Sequence, residues 1–137
     1  MSGKKFCLQF AECEENQGGE GMNTYSTDEI MCGTWIDGKP IYRKVIIAKT
    51  GANTGINMVL SNVADLNIDR MIRQYGSCNN NLRNACISPG TFPDSNGNIA
   101  IALTTWYNTE LKEIRYSTVS TQYTSCDLYL VLEYTKA

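Results

Sequence analysis

Histidine is absent from the 137 residues. That removes together the commonest general base, the commonest metal ligand and the side chain that titrates nearest neutral pH. Proline is scarce, at 3 residues, so a proline-rich linker and a collagen-like fibre are excluded. No apolar stretch approaches the roughly 20 residues that a membrane-spanning helix needs, so membrane insertion is not expected. The opening Met-Ser-Gly-Lys-Lys-Phe-Cys is basic but leads into no apolar segment of the kind a secretory leader carries. Basic residues never run longer than two, and net charge is 12 − 14 = −2. Neutralising a nucleic-acid backbone requires a basic patch, so no nucleic-acid partner is expected. Phosphate loops, dinucleotide fingerprints and calcium loops are also missing, and no cofactor is expected.

What remains is 42% apolar and 19% charged, too apolar for a disordered chain. A chain of this mass can bury about two-thirds of its unfolded surface, enough for one core and hence one domain. The six cysteines (Cys7, Cys13, Cys32, Cys78, Cys86 and Cys126) contain no C-x-x-C pair. Without histidine, a zinc site would have to be built from thiolates or carboxylates. The economical reading is small buried hydrophobes with free thiols, and no metal site.

Patterning points to strands. Phe6, Leu8 and Phe10 share one face of a short strand over Lys4 to Phe10. Glu12 to Asn23 holds four glutamates and three glycines and reads as a flexible acidic arm. Residues 1–23 therefore form an arm, and residues 24–137 the body. In the body, Ser26 or Thr27 is placed to cap one helical turn. Gly33 to Ile36, a type I′ turn at Asp37-Gly38 and a return strand from Pro40 to Ala48 make a hairpin. Ile56 to Leu60 reads as another strand. Leu66, Ile68, Met71, Ile72 and Tyr75 fall on one helical face, with acids early, arginines late and Gly76 as terminator. That predicts one short helix over Asp65 to Gly76, or an extended segment with a helical turn. Asn98 to Thr104 and Cys126 to Thr135 alternate with period two, and Leu111 to Tyr116 alternates with a face switch that marks a bulge. The expectation is a mainly β fold of six to eight strands with one short helix, an antiparallel β-sandwich or jelly-roll-like barrel.

Chemistry is sparse. No carboxylate pair is embedded in an apolar stretch that would raise its pKa for acid catalysis, and a cysteine nucleophile would lack its histidine. No catalytic residue is assigned, and the chain is read as a non-enzyme. Of 2 Trp, 8 Tyr and 3 Phe, Trp106-Tyr107 stands out beside Asn108 and Thr109 in an expected hairpin loop. Such aromatics offer flat area for stacking on a sugar, and asparagine amides can bond its hydroxyls. Trp106, Tyr107, Asn108 and Asn80 (the last in a run of three asparagines) are the candidate ligand contacts. The alternative is that Trp106 folds back over one end of the sandwich and Asn80 is merely solvated.

Tyr25-Ser-Thr-Asp-Glu29 and Gly33-Thr-Trp-Ile-Asp-Gly-Lys-Pro-Ile-Tyr-Arg-Lys-Val-Ile46 resemble the C-terminal module of tail-fibre and minor structural proteins of bacteriophages and prophages. Asn67-Ile-Asp-Arg-Met-Ile72, Tyr75-Gly76 and the closing Leu132-Glu-Tyr-Thr-Lys136 are similar to further parts of that module. The resemblance covers about residues 24 to 137. It implies a β-rich virion component assembled in the host cytoplasm, homotrimeric, contacting other virion proteins and recognising a carbohydrate of the host surface. It carries over no catalytic residue. Six cysteines depart from what such a virion surface carries. They leave open a capsid or tail decoration protein with only protein–protein contacts, or a domesticated prophage product.

Overall fold

The strand that organises the molecule is its last, Asp127–Lys136. Leu128, Leu130, Leu132 and Tyr134 alternate inward along it, and all four are completely shielded from solvent. Tyr129 and Asp127 face out. This is the period-two pattern that the sequence predicts there, and each buried side chain contributes about 1.5–3 kcal/mol by leaving water.

The computed structural model describes residues 24–79, 84–87, 91–93, 99–101 and 103–137. The arm, with its expected strand over Lys4 to Phe10, lies outside the described residues. In chain order the strands are β1 (Ile30–Thr34), β2 (Pro40–Lys49), β3 (Gly55–Asn62), β4 (Ile68–Asn79), β5 (Asn84–Ile87), β6 (Thr91–Pro93), β7 (Ile99–Ile101), β8 (Thr104–Asn108), β9 (Glu113–Thr118) and β10 (Asp127–Lys136). β10 sits at the centre of a five-stranded sheet ordered β1-β2-β10-β4-β5, and β3-β9-β8 form a second sheet. β6 and β7 pair with each other. Every pairing is antiparallel.

The core lies between the two larger sheets. Ile114 and Tyr116 of β9 meet the β10 row, Cys78 and Ile68, and Met58, Leu60 and Tyr107 close the sides. The fold is thus mainly β, two antiparallel sheets packed as a sandwich. Helical structure among the described residues is confined to two three-residue 3₁₀ turns, Ala64–Leu66 and Thr121–Tyr123.

Of the two readings of Asp65 to Gly76, the short helix is corrected and the extended segment with a helical turn is the one that forms: the 3₁₀ turn is followed by β4. The cause is visible in the register. β4 pairs with β10 as Ile68↔Lys136, Arg70↔Thr135, Met71↔Tyr134 and Arg73↔Glu133. Asp69 and Ile72 are each one residue too many for the partner, so β4 carries two bulges. A bulge resets the alternation, and two in succession spread the inward residues at spacings of three and two. That imitates a helical period on a strand. Gly76, expected to end the helix, lies mid-strand opposite Leu130.

Three smaller expectations are corrected too. The β1–β2 hairpin forms where predicted, but its turn is not type I′, which needs positive φ at both central residues. Gly38 donates to Trp35 O at 2.9 Å, and Trp35 N donates to Lys39 O at 2.8 Å. Of Asp37 and Gly38 only Gly38 has positive φ, +91°. This is a four-residue turn from Trp35 closed by a left-handed glycine. Ser26 caps no helix; its Oγ accepts from Asp28 N at 2.9 Å in a bend. The irregularity expected near β9 lies on its partner, since β3 skips register between Gly55 and Met58 and again between Val59 and Ser61.

Cys32, Cys78 and Cys126 are free thiols, the last two buried. Burial, then the hydrogen bond that the Cys78 thiol makes to the neighbouring Cys126 sulfur, pushes Cys78 from 9.0 up to about 12. Burial, reinforced by Tyr25 and Glu133, pushes Tyr75 from 10.0 up to about 12, and burial raises Tyr134 as well. These groups hold their protons more tightly when folded. Their contribution to stability is complete below pH 9.0 and is lost as pH rises through about 12. The urea midpoint should fall progressively across that window. A midpoint unchanged at about pH 11 would contradict these placements.

Candidate functional site

β4 and β8 are the edges that face each other across one side of the sandwich. β5 pairs with β4 only over Gly76 to Asn79. Among the described residues, no strand covers β4 from Ile68 to Tyr75 on that side. Such an open edge invites pairing with another chain, and bulges and charges counter this. β4 has both: the two bulges, and Asp69, Arg70 and Arg73.

Between this edge and β8 lies an open cleft of about 570 Å³. Asp69, Arg70 and Gln74 line it from β4, and Thr105, Trp106 and Tyr107 from β8. The size suits one or two sugar rings or a short peptide. Trp106 pairs with Arg115 and Tyr107 with Ile114. Strand alternation sends the two rings to opposite faces, so they do not form a single flat platform. Tyr107 packs against the core, and burial pushes its phenol pKa up. Trp106 is half-buried.

The structure moves Trp106, Tyr107 and Asn108 from the expected hairpin loop into β8, and the connection to β9 is 109–112. Asn108 makes that connection. Its Oδ1 accepts from Glu110 N at 3.0 Å and from Leu111 N at 2.9 Å, and its carbonyl accepts from Lys112 N at 2.8 Å. Asn108 does not line the cleft. Asn80 lies outside the described residues. Of the four candidates, then, two reach the cleft.

Charge in the cleft is unevenly matched. Asp69 Oδ2 is held by Lys39 Nζ at 2.9 Å. Arg73 sits over the Tyr75 ring at 4.2 Å and lies 3.7 Å from Glu133. Arg70 is exposed, and no described residue pairs with it. Gln74 Oε1 is shielded from solvent without a hydrogen-bond partner. Sequence reasoning missed Asp69, Arg70 and Gln74 as site residues because its first reading placed them on a helix, where Arg70 served the helix end. The interior glycine and the β-branched Ile68 and Ile72 were the available signals for a strand.

The outer face of the larger sheet is the second feature. Its rows run Lys49–Asp127, Ile47–Tyr129–Ser77, Val45–Val131–Tyr75 and Arg43–Glu133–Arg73. Two apolar rows thus lie between two ion-paired ones, and Ile47 and Tyr129 are 60% and 46% exposed. Arg43, nearly buried, donates from Nε to Glu133 Oε2 at 2.9 Å and from Nη1 to Thr24 O at 3.3 Å. Tyr75 donates to the same Glu133 oxygen at 2.9 Å. The Tyr25 ring lies under Arg43 at 4.7 Å and edge-on to Tyr75 at 6.5 Å. Val45 N donates to Ser26 O at 2.8 Å. Together these contacts fasten the start of the body onto the sheet.

Among the described residues no group of three or more acidic or cysteine side chains is placed to hold a metal ion. Nor is any helix there long and apolar enough to cross a membrane. No family model, no curated protein and no solved structure matches the chain.

Proposed function

We propose that the chain is a structural subunit of a bacteriophage virion, at the tip of a tail fibre, and that the β4–β8 cleft binds a carbohydrate of the host surface. The observation that carries this reading is the meeting, in one open cleft, of Trp106 and Tyr107 with the polar side chains Arg70, Gln74 and Thr105. The Trp106 ring would take the C–H face of a sugar, with Tyr107 backing the wall from the core, and polar neighbours its hydroxyls. Among the described residues Asp69 is the only carboxylate lining the cleft and is occupied by Lys39, so the reading assigns no acid–base pair and no catalysis. The motifs shared with phage tail modules support the virion setting.

A panel of immobilised bacterial surface polysaccharides tests it. The protein should bind at least one, and Trp106→Ala should weaken that binding about tenfold by removing a stacking surface worth roughly 1–1.5 kcal/mol. Binding to none, with the protein folded, would sink the adsorption reading.

A second reading, a decoration subunit with protein contacts only, draws on the apolar rows bearing Ile47, Tyr129, Val45 and Val131. The exposure of Ile47 and Tyr129 suits a self-contact, and the fibre-tip reading uses the same rows for a homotrimer. Light scattering separates them from a solitary subunit: a strictly monomeric species counts against the fibre tip.

A further inference from the structure

We infer that the cleft selects an acidic saccharide, one bearing a carboxylate or a phosphate, and that Arg70 is the selecting residue. This inference rests on the carbohydrate reading and adds the chemical class. Three residues lining the cleft carry formal charge, Asp69, Arg70 and Arg73, and their charges are balanced differently. The Asp69 carboxylate is 2.9 Å from the Lys39 ammonium. The Arg73 guanidinium is drawn to the outer face by the Tyr75 ring at 4.2 Å and Glu133 at 3.7 Å. Arg70 lines the same cleft and has no ion-pair or hydrogen-bond partner among the described residues. One positive charge is therefore left over at the mouth of a cleft whose wall is aromatic.

A guanidinium presents its donors as a planar fork that fits two oxygens of a carboxylate or phosphate. Gln74 supplies the complementary need. Its Oε1 is shielded and accepts nothing, and a buried acceptor without a donor is costly. With the Gln74 carboxamide turned toward the cleft, a sugar hydroxyl would supply that donor. A bare anion satisfies Arg70 but cannot donate to Gln74, and a neutral sugar satisfies Gln74 but leaves Arg70 without a counter-charge. A saccharide carrying an anionic group does both.

The test is a titration of the whole chain, followed by calorimetry and by the Trp106 indole NMR signal, with four probes: trigalacturonate, glucose 6-phosphate, maltotriose and inorganic phosphate. At least one acidic sugar should bind about tenfold or more tightly than maltotriose, the value of one charge-assisted pair. Arg70→Gln should bring that sugar to within about twofold of maltotriose and leave maltotriose itself unchanged. Arg70 is exposed, so the variant should keep its fold; the thermal midpoint and Lys49→Gln, at the other end of β10, serve as controls. Trigalacturonate against glucose 6-phosphate tells carboxylate from phosphate. Equal binding of maltotriose and both acidic sugars overturns this inference and leaves carbohydrate binding standing. So does an acidic preference that survives Arg70→Gln. Inorganic phosphate binding as tightly as glucose 6-phosphate makes the cleft a simple anion site and overturns it as well. Absence of binding by every sugar overturns both this inference and the carbohydrate reading.

Discussion

Gly76→Ala is expected to prevent folding, with a loss of about 4 kcal/mol or more set against a typical domain stability of about 5–15 kcal/mol. A Cβ built at Gly76 falls 1.9 Å from the carbonyl oxygen of Tyr129 and 3.2 Å from Leu130 Cα. Both obstacles are backbone of β10, which is hydrogen-bonded to β2 on one side and β4 on the other, so neither can step aside. The φ of Gly76, +152°, adds a conformation that L-residues resist. Gly38→Ala is the comparison. Gly38 also has positive φ, but nothing lies within 4 Å of its Cβ position, and the cost should be about 1 kcal/mol. Urea denaturation checks both, with soluble yield as the readout should the Gly76 variant not fold. A Gly76 variant as stable as the Gly38 variant would show that β4 and β10 are not so closely apposed.

Glu133→Ala is expected to cost about 3 kcal/mol. The Glu133 and Arg43 side chains are only 12% and 10% exposed, so the carboxylate interacts with little screening. Glu133 also accepts from Tyr75 and lies near Arg73. Removing it leaves a nearly buried guanidinium facing a half-buried phenol. Removing one partner of a buried pair is far more damaging than replacing both. Arg43→Met combined with Glu133→Leu should therefore recover most of the loss, within about 1 kcal/mol of the parent. Chemical denaturation of the two singles and the double closes the cycle, and additive losses would argue against the pair. Because Arg43 also holds Thr24 O, amide exchange over residues 24–27 should quicken in Glu133→Ala.

The candidate site was half legible. Trp106 and Tyr107 are conspicuous in any reading, since large aromatics beside turn-forming residues are few. Their partners were hidden because bulges at Asp69 and Ile72 gave β4 a helix-like spacing. Asn108 shows the opposite error. Its residue type suits a sugar contact, yet the same carboxamide suits the backbone two residues on, and the connection into β9 claims it. Local bonding of this kind is decided by chain direction after Asn108, which composition does not reveal.

By itself the sequence determined the class of fold and the inward row of β10. Strict alternation of Leu128, Leu130, Leu132 and Tyr134 has only one solution in which apolar side chains leave water on one side of a pleated strand. It also determined the β1–β2 hairpin, whose Asp37-Gly38 must turn. Tertiary structure alone decided that residues 68 to 79 are a strand, because the pairing partner that makes a bulged segment extended is β10, more than 50 residues later in the chain. It likewise decided where the cleft lies: Arg70 and Trp106 become neighbours only when the two sheets stack, and no local pattern encodes which edges then face each other.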